Sequence, residues 1–355
     1  MVEDIMENED SSTILFLWRH IEMIKGVNLG GWFVLESWMK PELFSGIQSK
    51  DETGFVTLNP KAKKDLEKHW CTFITKEDFV YLKRAGINSL RLPIPWWFEG
   101  EKPYFSSTPF IHQAMKWASE LGLDVLLDLH TAPGCQNGFD NGGIEGVMTW
   151  HLFDRNIELT VDKLEKIVLE FQSHPSFMGI EVLNEPFTSI DMSIIQGFYA
   201  RAYQRIRKHT DKLIVFHDAF RPKDPSWNSF FESNKMKNIA FDVHLYHCFD
   251  PKLISGTFED HINIILNERI PMIKSLSLFV RVIVGEWSLG MNFDKMTKTE
   301  HFDEKLYTKL LADLQLYAYS HGFGYYFWSY KIERESHRNW DFRRLVQDGI
   351  FPDKF

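Results

Sequence analysis

Ile239-Ala-Phe-Asp-Val-His-Leu-Tyr246 carries two unlike rows of side chains. Phe241, Val243 and Leu245 form an apolar row, and Asp242, His244 and Tyr246 form a polar one. A β-strand repeats every two residues, so the rows lie on opposite faces. One face suits a packed helix; the other must meet partners that satisfy charge. The same split recurs in Ser89–Ile94, where Leu90, Leu92 and Ile94 oppose Arg91, and in Asp124–Thr131, where Val125, Leu127 and Leu129 oppose Asp128 and His130.

Working outward, five further apolar runs have the length of strands: Ile24–Gly30, Met178–Asn184, Leu213–Ala219, Val280–Trp287 and Phe323–Tyr330. Helical signals lie between the eight. Thr75 and Asp78 resemble a capping box ahead of Phe79 and Leu82, with Gly86 as the stop. Ile157, Val161, Leu164, Val168 and Phe171 make one apolar stripe, and Leu306, Leu310, Leu314 and Tyr317 make another. Eight strands alternating with helices close most simply into a (β/α)8 TIM barrel, for which about 250 residues suffice. The rival, a doubly wound open sheet, lacks a glycine-rich phosphate loop after its first strand. A single domain over 23–355 is expected, preceded by a tail over 1–22. Gly31 to about Pro60 and Ala132 to His151 both follow strands, so they are placed on the face where barrel active sites are built.

Composition removes several function classes. The 355 residues are 44% hydrophobic and 25% charged, which fits a chain with a large core. A net charge of −9 offers no basic field for nucleic acid. The apolar segment Ile14–Trp18 is far shorter than the roughly 18 residues of a membrane span. The acidic start, three cysteines and the lack of an Asn-x-Ser/Thr sequon point to the cytoplasm, with secretion as the alternative. A monomer is expected.

Polar groups on several strands thus converge on one axis, where unpaired charge is expensive. The fourth strand adds Glu185, and Val284-Gly-Glu286-Trp287 adds a second carboxylate whose inward side alternation alone leaves open. Strict alternation also separates Asn184 from Glu185; a bulge or an early strand end before Pro186 would let both reach the pocket, with Glu181 as a structural competitor below. Two carboxylates at the ends of nearly opposite strands suit glycosidic bond hydrolysis, one as proton donor and one against the developing oxocarbenium ion. Arg91 is expected to keep one ionised, and that charge to keep its neighbour protonated. A metal hydrolase using His130, His244, His247 or Asp242 lacks the usual ligand spacing, and no Gly-x-Ser-x-Gly elbow supports a serine nucleophile. A sugar-binding barrel without turnover would not need both carboxylates.

These residues resemble glycoside hydrolase family 5, and within it the exo-β-1,3-glucanase branch. The likeness rests on Gly26-Val-Asn-Leu-Gly-Gly-Trp-Phe-Val-Leu-Glu36, His130-Thr-Ala-Pro-Gly-Cys-Gln-Asn-Gly-Phe139-Asp140-Asn141, Leu183-Asn184-Glu185-Pro186 and Val284-Gly-Glu286-Trp287, with His244-Leu-Tyr246 and Phe327-Trp328 in support. It implies Glu185 as acid/base, Glu286 as nucleophile and Asn184 as donor to the sugar 2-hydroxyl. It places Arg91, His130, His244 and Tyr246 around the reacting sugar, with Asp140 and Asn141 beside them, and Trp328 beneath as a stacking floor. Glu36 would close the pocket on a terminal sugar, and Phe139 and Phe249 would grip the next one. The substrate implied is a β-glucan oligosaccharide or β-glucoside, with no cofactor and no metal. Two departures stand out. No export signal or disulfide pattern is evident, which makes a glucosidase acting on glucolipids or other aglycones the alternative. Cys135 stands where a small hydroxyl residue is usual, so accommodation beyond the first sugar is expected to differ.

Overall fold

In a computed structural model of the chain, which describes residues 23–291 and 303–355, eight parallel strands close into a barrel in chain order. They are β1 (Ile24–Asn28), β2 (Ser89–Ile94), β3 (Asp124–Leu129), β4 (Phe177–Glu181), β5 (Leu213–His217), β6 (Ile239–His244), β7 (Arg281–Trp287) and β8 (Gly324–Phe327). Each overlaps a predicted run. Pairing of Ile24–Val27 with Gly324–Phe327 joins the last strand to the first and leaves no sheet edge. The expected tail, 1–22, lies outside the described residues.

Period-two alternation separates two apolar layers. Leu90, Leu92, Ile94, Val125, Leu127, Leu129, Phe241 and Val243 pack outward in one continuous core. Leu126, Leu213, Val215, Ala240, Ile283 and Tyr326 fill the lower interior. The polar members of the inner rows sit above that plug, near the strand C-termini.

The helices follow their sequence signals with one exception. Thr75 and Asp78 form a capping box on Lys76–Arg84, and Gly86 beyond it has φ +85°. Helix Asp154–Phe171 buries Ile157, Val161, Leu164, Val168 and Phe171. Helix Glu304–Tyr319 exists, but its predicted stripe faces the wrong way: Leu306, Leu310 and Tyr317 are exposed. The buried row is Thr308, Leu311, Ala312, Gln315, Ala318 and Tyr319, because Tyr319 and Leu311 reach the outer barrel core and Gln315 receives the Tyr319 hydroxyl at 2.9 Å.

Local irregularities at two strand ends set the site. The β6–β7 ladder runs from Asp242 opposite Ile283 to His244 opposite Glu286, so β7 carries one extra residue there. That bulge keeps Val284 and Trp287 in the outer core while Gly285 and Glu286 both face inward. A Cβ on Gly285 would collide with the Asp242 carboxylate, whose Oδ1 accepts the Gly285 amide at 2.6 Å. On β4 the ladder stops at Glu181, and Glu185 adopts φ +45°, which brings it and Asn184 to the same space. The loops after β1 and β3 are tied together: Glu145 N donates to Asp51 Oδ2 at 2.9 Å, and Thr53 N donates to the Gly143 carbonyl at 3.3 Å.

Candidate active site

Arg91 occupies the centre of the polar interior and is wholly buried. Its Nη1 donates to Glu286 Oε1 at 2.9 Å and to Asn28 Oδ1 at 2.9 Å, its Nη2 to Asn184 Oδ1 at 2.9 Å, and its Nε to Glu181 Oε2 at 2.7 Å. Asp128 Oδ2 lies 3.1 Å from Nη2 and 2.5 Å from His130 Nδ1. One guanidinium cannot neutralise three carboxylates. Burial, with the charges of Asp242 and Asp128 behind it, pushes Glu181 well above the carboxylate range against the pull of Arg91. Glu181 is therefore the structural member of the set.

The two strand-end carboxylates meet at His244. Its Nδ1 is 2.7 Å from Glu185 Oε1 and 3.5 Å from Glu286 Oε2, so those oxygens are no farther apart than the two distances laid end to end. For the nearest pair of oxygens, that bound is compatible with the about 5–5.5 Å between the carboxyl groups of retaining glycosidases. Tyr246 donates its hydroxyl to Glu286 Oε2 at 2.8 Å, and Asn141 Nδ2 donates to Glu185 Oε2 at 2.8 Å.

Charge is distributed differently from the expectation. Burial lifts Glu286 above its usual value, and Glu185 adds to this while His244 and Arg91 oppose it. Burial acts the same way on Glu185, but the hydrogen bond and charge of His244, with Asn141, hold it below the usual value. Burial alone would neutralise His244; the charges of Glu286 and Asp242 instead hold it well above its ordinary value. His244 Nδ1 lies nearer to Glu185 Oε1 than to Glu286 Oε2, so the imidazolium that these directions favour donates to Glu185.

The remaining predicted residues fall around this pair. His130 stacks on Trp328, ring centroids 5.5 Å apart and nearly parallel, and Trp328 packs with Met39 and Ile332 just beyond β8. Gly30 makes room for it: a Cβ there would sit 2.7 Å from the Trp328 ring. Glu36 is buried, accepts the Trp38 indole at 2.8 Å on Oε2 and leaves Oε1 without a protein partner. Burial and then the charge of Asp140 push Glu36 well above the carboxylate range, with Glu286 and Glu185 adding to it. Phe139 and Phe249 are 39% and 69% exposed, so neither is a core residue. Phe139 meets Phe187 edge-on, and Phe249 meets Tyr246 and Trp340. Cys135 is buried; its sulfur accepts the Gly138 amide at 3.3 Å and lies 3.5 Å from Asn137 Oδ1, within its own loop.

Two trios could surround an ion, Glu185–His217–His244 and Glu181–Asp242–His244. The first donor set does not suit one. His217 Nδ1 accepts the Ala219 amide at 3.0 Å, which puts the ring hydrogen on Nε2, the nitrogen left to ligate. In the second, Glu181 keeps Oε2 on Arg91 and its Oε1 has no protein partner.

A family model described as Cellulase (glycosyl hydrolase family 5) matches residues 51–334. The chain belongs to glycoside hydrolase family 5. This family 5 enzyme is 30% identical to the probable glucan 1,3-beta-glucosidase A of Aspergillus niger, over 93% of this chain and 88% of the relative. It is 31% identical to the glucan 1,3-beta-glucosidase of Blumeria graminis, over 93% of this chain and 87% of that one. In fold it resembles a rutinosidase from Aspergillus niger, with TM-score 0.79, 21% identity and coverage of 94% and 98% of the two chains.

Several residues of the family 5 site escaped the sequence reading. Asn28 and His217 end the inner rows of β1 and β5, so the alternation that exposed Arg91 could have found them too. Trp38 and Trp340, whose rings meet 5.3 Å apart beside Tyr246, lie in a turn after β1 and at the end of a short 3-10 segment after β8, neither of which carries a periodic signal.

Proposed function

We propose that this enzyme is a retaining exo-β-1,3-glucanase/β-glucosidase that removes terminal glucose, with Glu286 as nucleophile and Glu185 as acid/base. The observation that carries the reading is the sharing of His244 Nδ1 by both carboxylates, which brings them within one sugar's reach. Glu286 receives Arg91 on one oxygen and Tyr246 on the other, which aims it and stabilises it as an anion for attack at the anomeric carbon. The proton on His244 passes to Glu185 along their 2.7 Å bond and from there to the leaving oxygen. Formation of the glycosyl ester removes the charge of Glu286, and Glu185 then accepts a proton from the attacking water. Asn184, fixed by Arg91, presents its amide to the sugar 2-hydroxyl. The free Oε1 of buried Glu36 suits a hydroxyl of a chain-terminal sugar, which favours end-wise cutting. The names of the relatives support β-1,3-linked glucan as substrate.

Glu185→Ala is expected to spare activated aryl glucosides far more than laminaribiose and to be rescued by azide; equal loss on both, without rescue, would remove the acid/base assignment. Glucose alone is the expected early product from laminarin, and mixed oligomers would contradict end-wise action. Exposed Phe139 and Phe249 favour a second reading, β-glucosides with apolar aglycones; comparing laminaribiose with a steryl glucoside decides between the two.

A further inference from the structure

Asn141, which donates to Glu185, has its own orientation imposed from behind. Phe139 N donates to Asn137 Oδ1 at 3.0 Å, and a backbone amide can only donate. The oxygen of Asn137 is thereby assigned, and the Cys135 thiol lies against the same atom at 3.5 Å, free to donate because the Gly138 amide approaches its sulfur. Asn137 must then turn its NH2 outward, where it donates to Asn141 Oδ1 at 3.0 Å. With its oxygen taken, Asn141 has only an NH2 group left for Glu185 Oε2. Asn137 is 4% exposed and touches neither carboxylate.

We propose that Asn137 is a positioning residue that fixes the polarity of Asn141, so that Asn141 presents a donor and never an acceptor to Glu185. The inference rests on Glu185 being the acid/base. A donor at Oε2 favours the ionised carboxylate, which speeds release of the proton to the leaving oxygen, and it leaves Oε1 to face His244. The same polarity acts on substrate: a sugar displacing Glu185 from Asn141 would have to offer a hydroxyl oxygen as acceptor. The departure at position 135 has a place in this relay, since a thiol supplies the donor that a hydroxyl would.

Reversing the relay tests it. Asn137→Asp keeps shape and still accepts from Phe139, but its second oxygen takes the Asn141 NH2 and turns the Asn141 oxygen towards Glu185. A carboxylate facing an oxygen holds its proton more tightly. The alkaline limb of kcat/KM on an unactivated glucoside is therefore expected to move up by about one pH unit, with kcat reduced. Other groups facing Glu185 stay in place: His244 and Asp242 on β6, Glu286 on β7, His217 and Asp218 at the β5 end, His130 at the β3 end, and Glu36 and Asp140 in the loops. A distant charge could move the limb without any relay, so the substitution is repeated in an Asn141→Ala background, where the expected displacement falls to a small fraction. An unmoved limb in Asn137→Asp, or an equal displacement with and without Asn141, overturns the inference. If Asn137→Asp does not fold, Asn137→Ala frees the Asn141 amide to rotate; the expected limb shift is upward and smaller, and no shift overturns the proposal. Glu185→Ala provides the separation from the parent reading: if it loses activity equally on activated and unactivated glucosides and azide does not rescue it, the acid/base assignment itself has failed.

Discussion

The two carboxylates sit in unlike halves of one pocket. Glu286 is carried by β7 and braced by Arg91 from β2, itself held by Asn28 from β1, and by Tyr246 just past β6. Glu185 follows β4 in a left-handed conformation and is held by His244 and by Asn141, which belongs to the long loop after β3. Glu36 at the far wall is loop-borne as well. Attack requires a nucleophile placed to fractions of an ångström, and a hydrogen-bonded barrel supplies that. Proton transfer and recognition of varied leaving groups tolerate, and in the second case need, adjustable loops.

The largest expected effect comes from breaking the rigid half. Glu286→Gln should lower kcat by about 10⁴-fold or more on every substrate, activated or not, since no second group can form the ester. Selective retention on activated substrates would mean that the halves have been assigned the wrong way round. Arg91→Leu comes next and should act on the fold as well as the chemistry. It would leave Asp128, Glu181 and Glu286 without the guanidinium they share, a loss of about 3–5 kcal/mol by urea unfolding. A change under about 1 kcal/mol would show that the interior relaxes as freely as a loop.

Tyr246→Phe probes the same half more gently. Removing the donor at Glu286 Oε2 should slow glycosylation by about 10- to 100-fold, the worth of one hydrogen bond to a buried charge, and leave the melting temperature nearly unchanged. Similar losses in glycosylation and deglycosylation would place the bond in the general integrity of the site instead.

The contrast also explains what could be read in the chain. Residues on strands obey a period of two, so Arg91, Asp128, Asp242 and His244 declared their direction, and Asn28 and His217 could have done so. Glu286 was ambiguous because a bulge breaks that period beside Gly285. Residues outside the strands and long helices have no such period: Trp38, Trp340 and the role of Asn137 depend on a backbone path that only tertiary packing fixes. On helix Glu304–Tyr319 periodicity found the element and missed the face, because the buried row includes Thr308 and Gln315 whereas the exposed row is richer in leucine. The pull of His244 on Glu185 is hidden for a similar reason, since it depends on which carboxylate is nearer to the ring by less than an ångström.

The smallest expected effect concerns the loop half and is read through pH. Glu52 is buried, accepts Leu35 N and Trp97 Nε1 at 3.0 Å each, and so anchors the segment that carries Glu36. Burial raises its carboxyl from 4.5 to about 7, against the hydrogen bonds from Trp97 and Leu35. A native carboxyl that binds its proton more tightly than the unfolded chain contributes stability in full below the unfolded value, and loses it as pH rises through about 7. Glu52→Gln cannot ionise, so its urea midpoint should lack that decline, worth roughly 3 kcal/mol between pH 4.5 and 8. The variant should be the weaker protein at pH 5, because its amide leaves one of the two donors unmatched, and the gap should close or reverse by pH 8. His69, buried and lowered to about 4, tilts the curve the other way, but it does so in both proteins and cancels from their difference. Parallel curves would mean that the Glu36 loop is anchored without a titrating group and is as fixed as β7, and the division between a rigid nucleophile side and an adjustable recognition side would lose its basis.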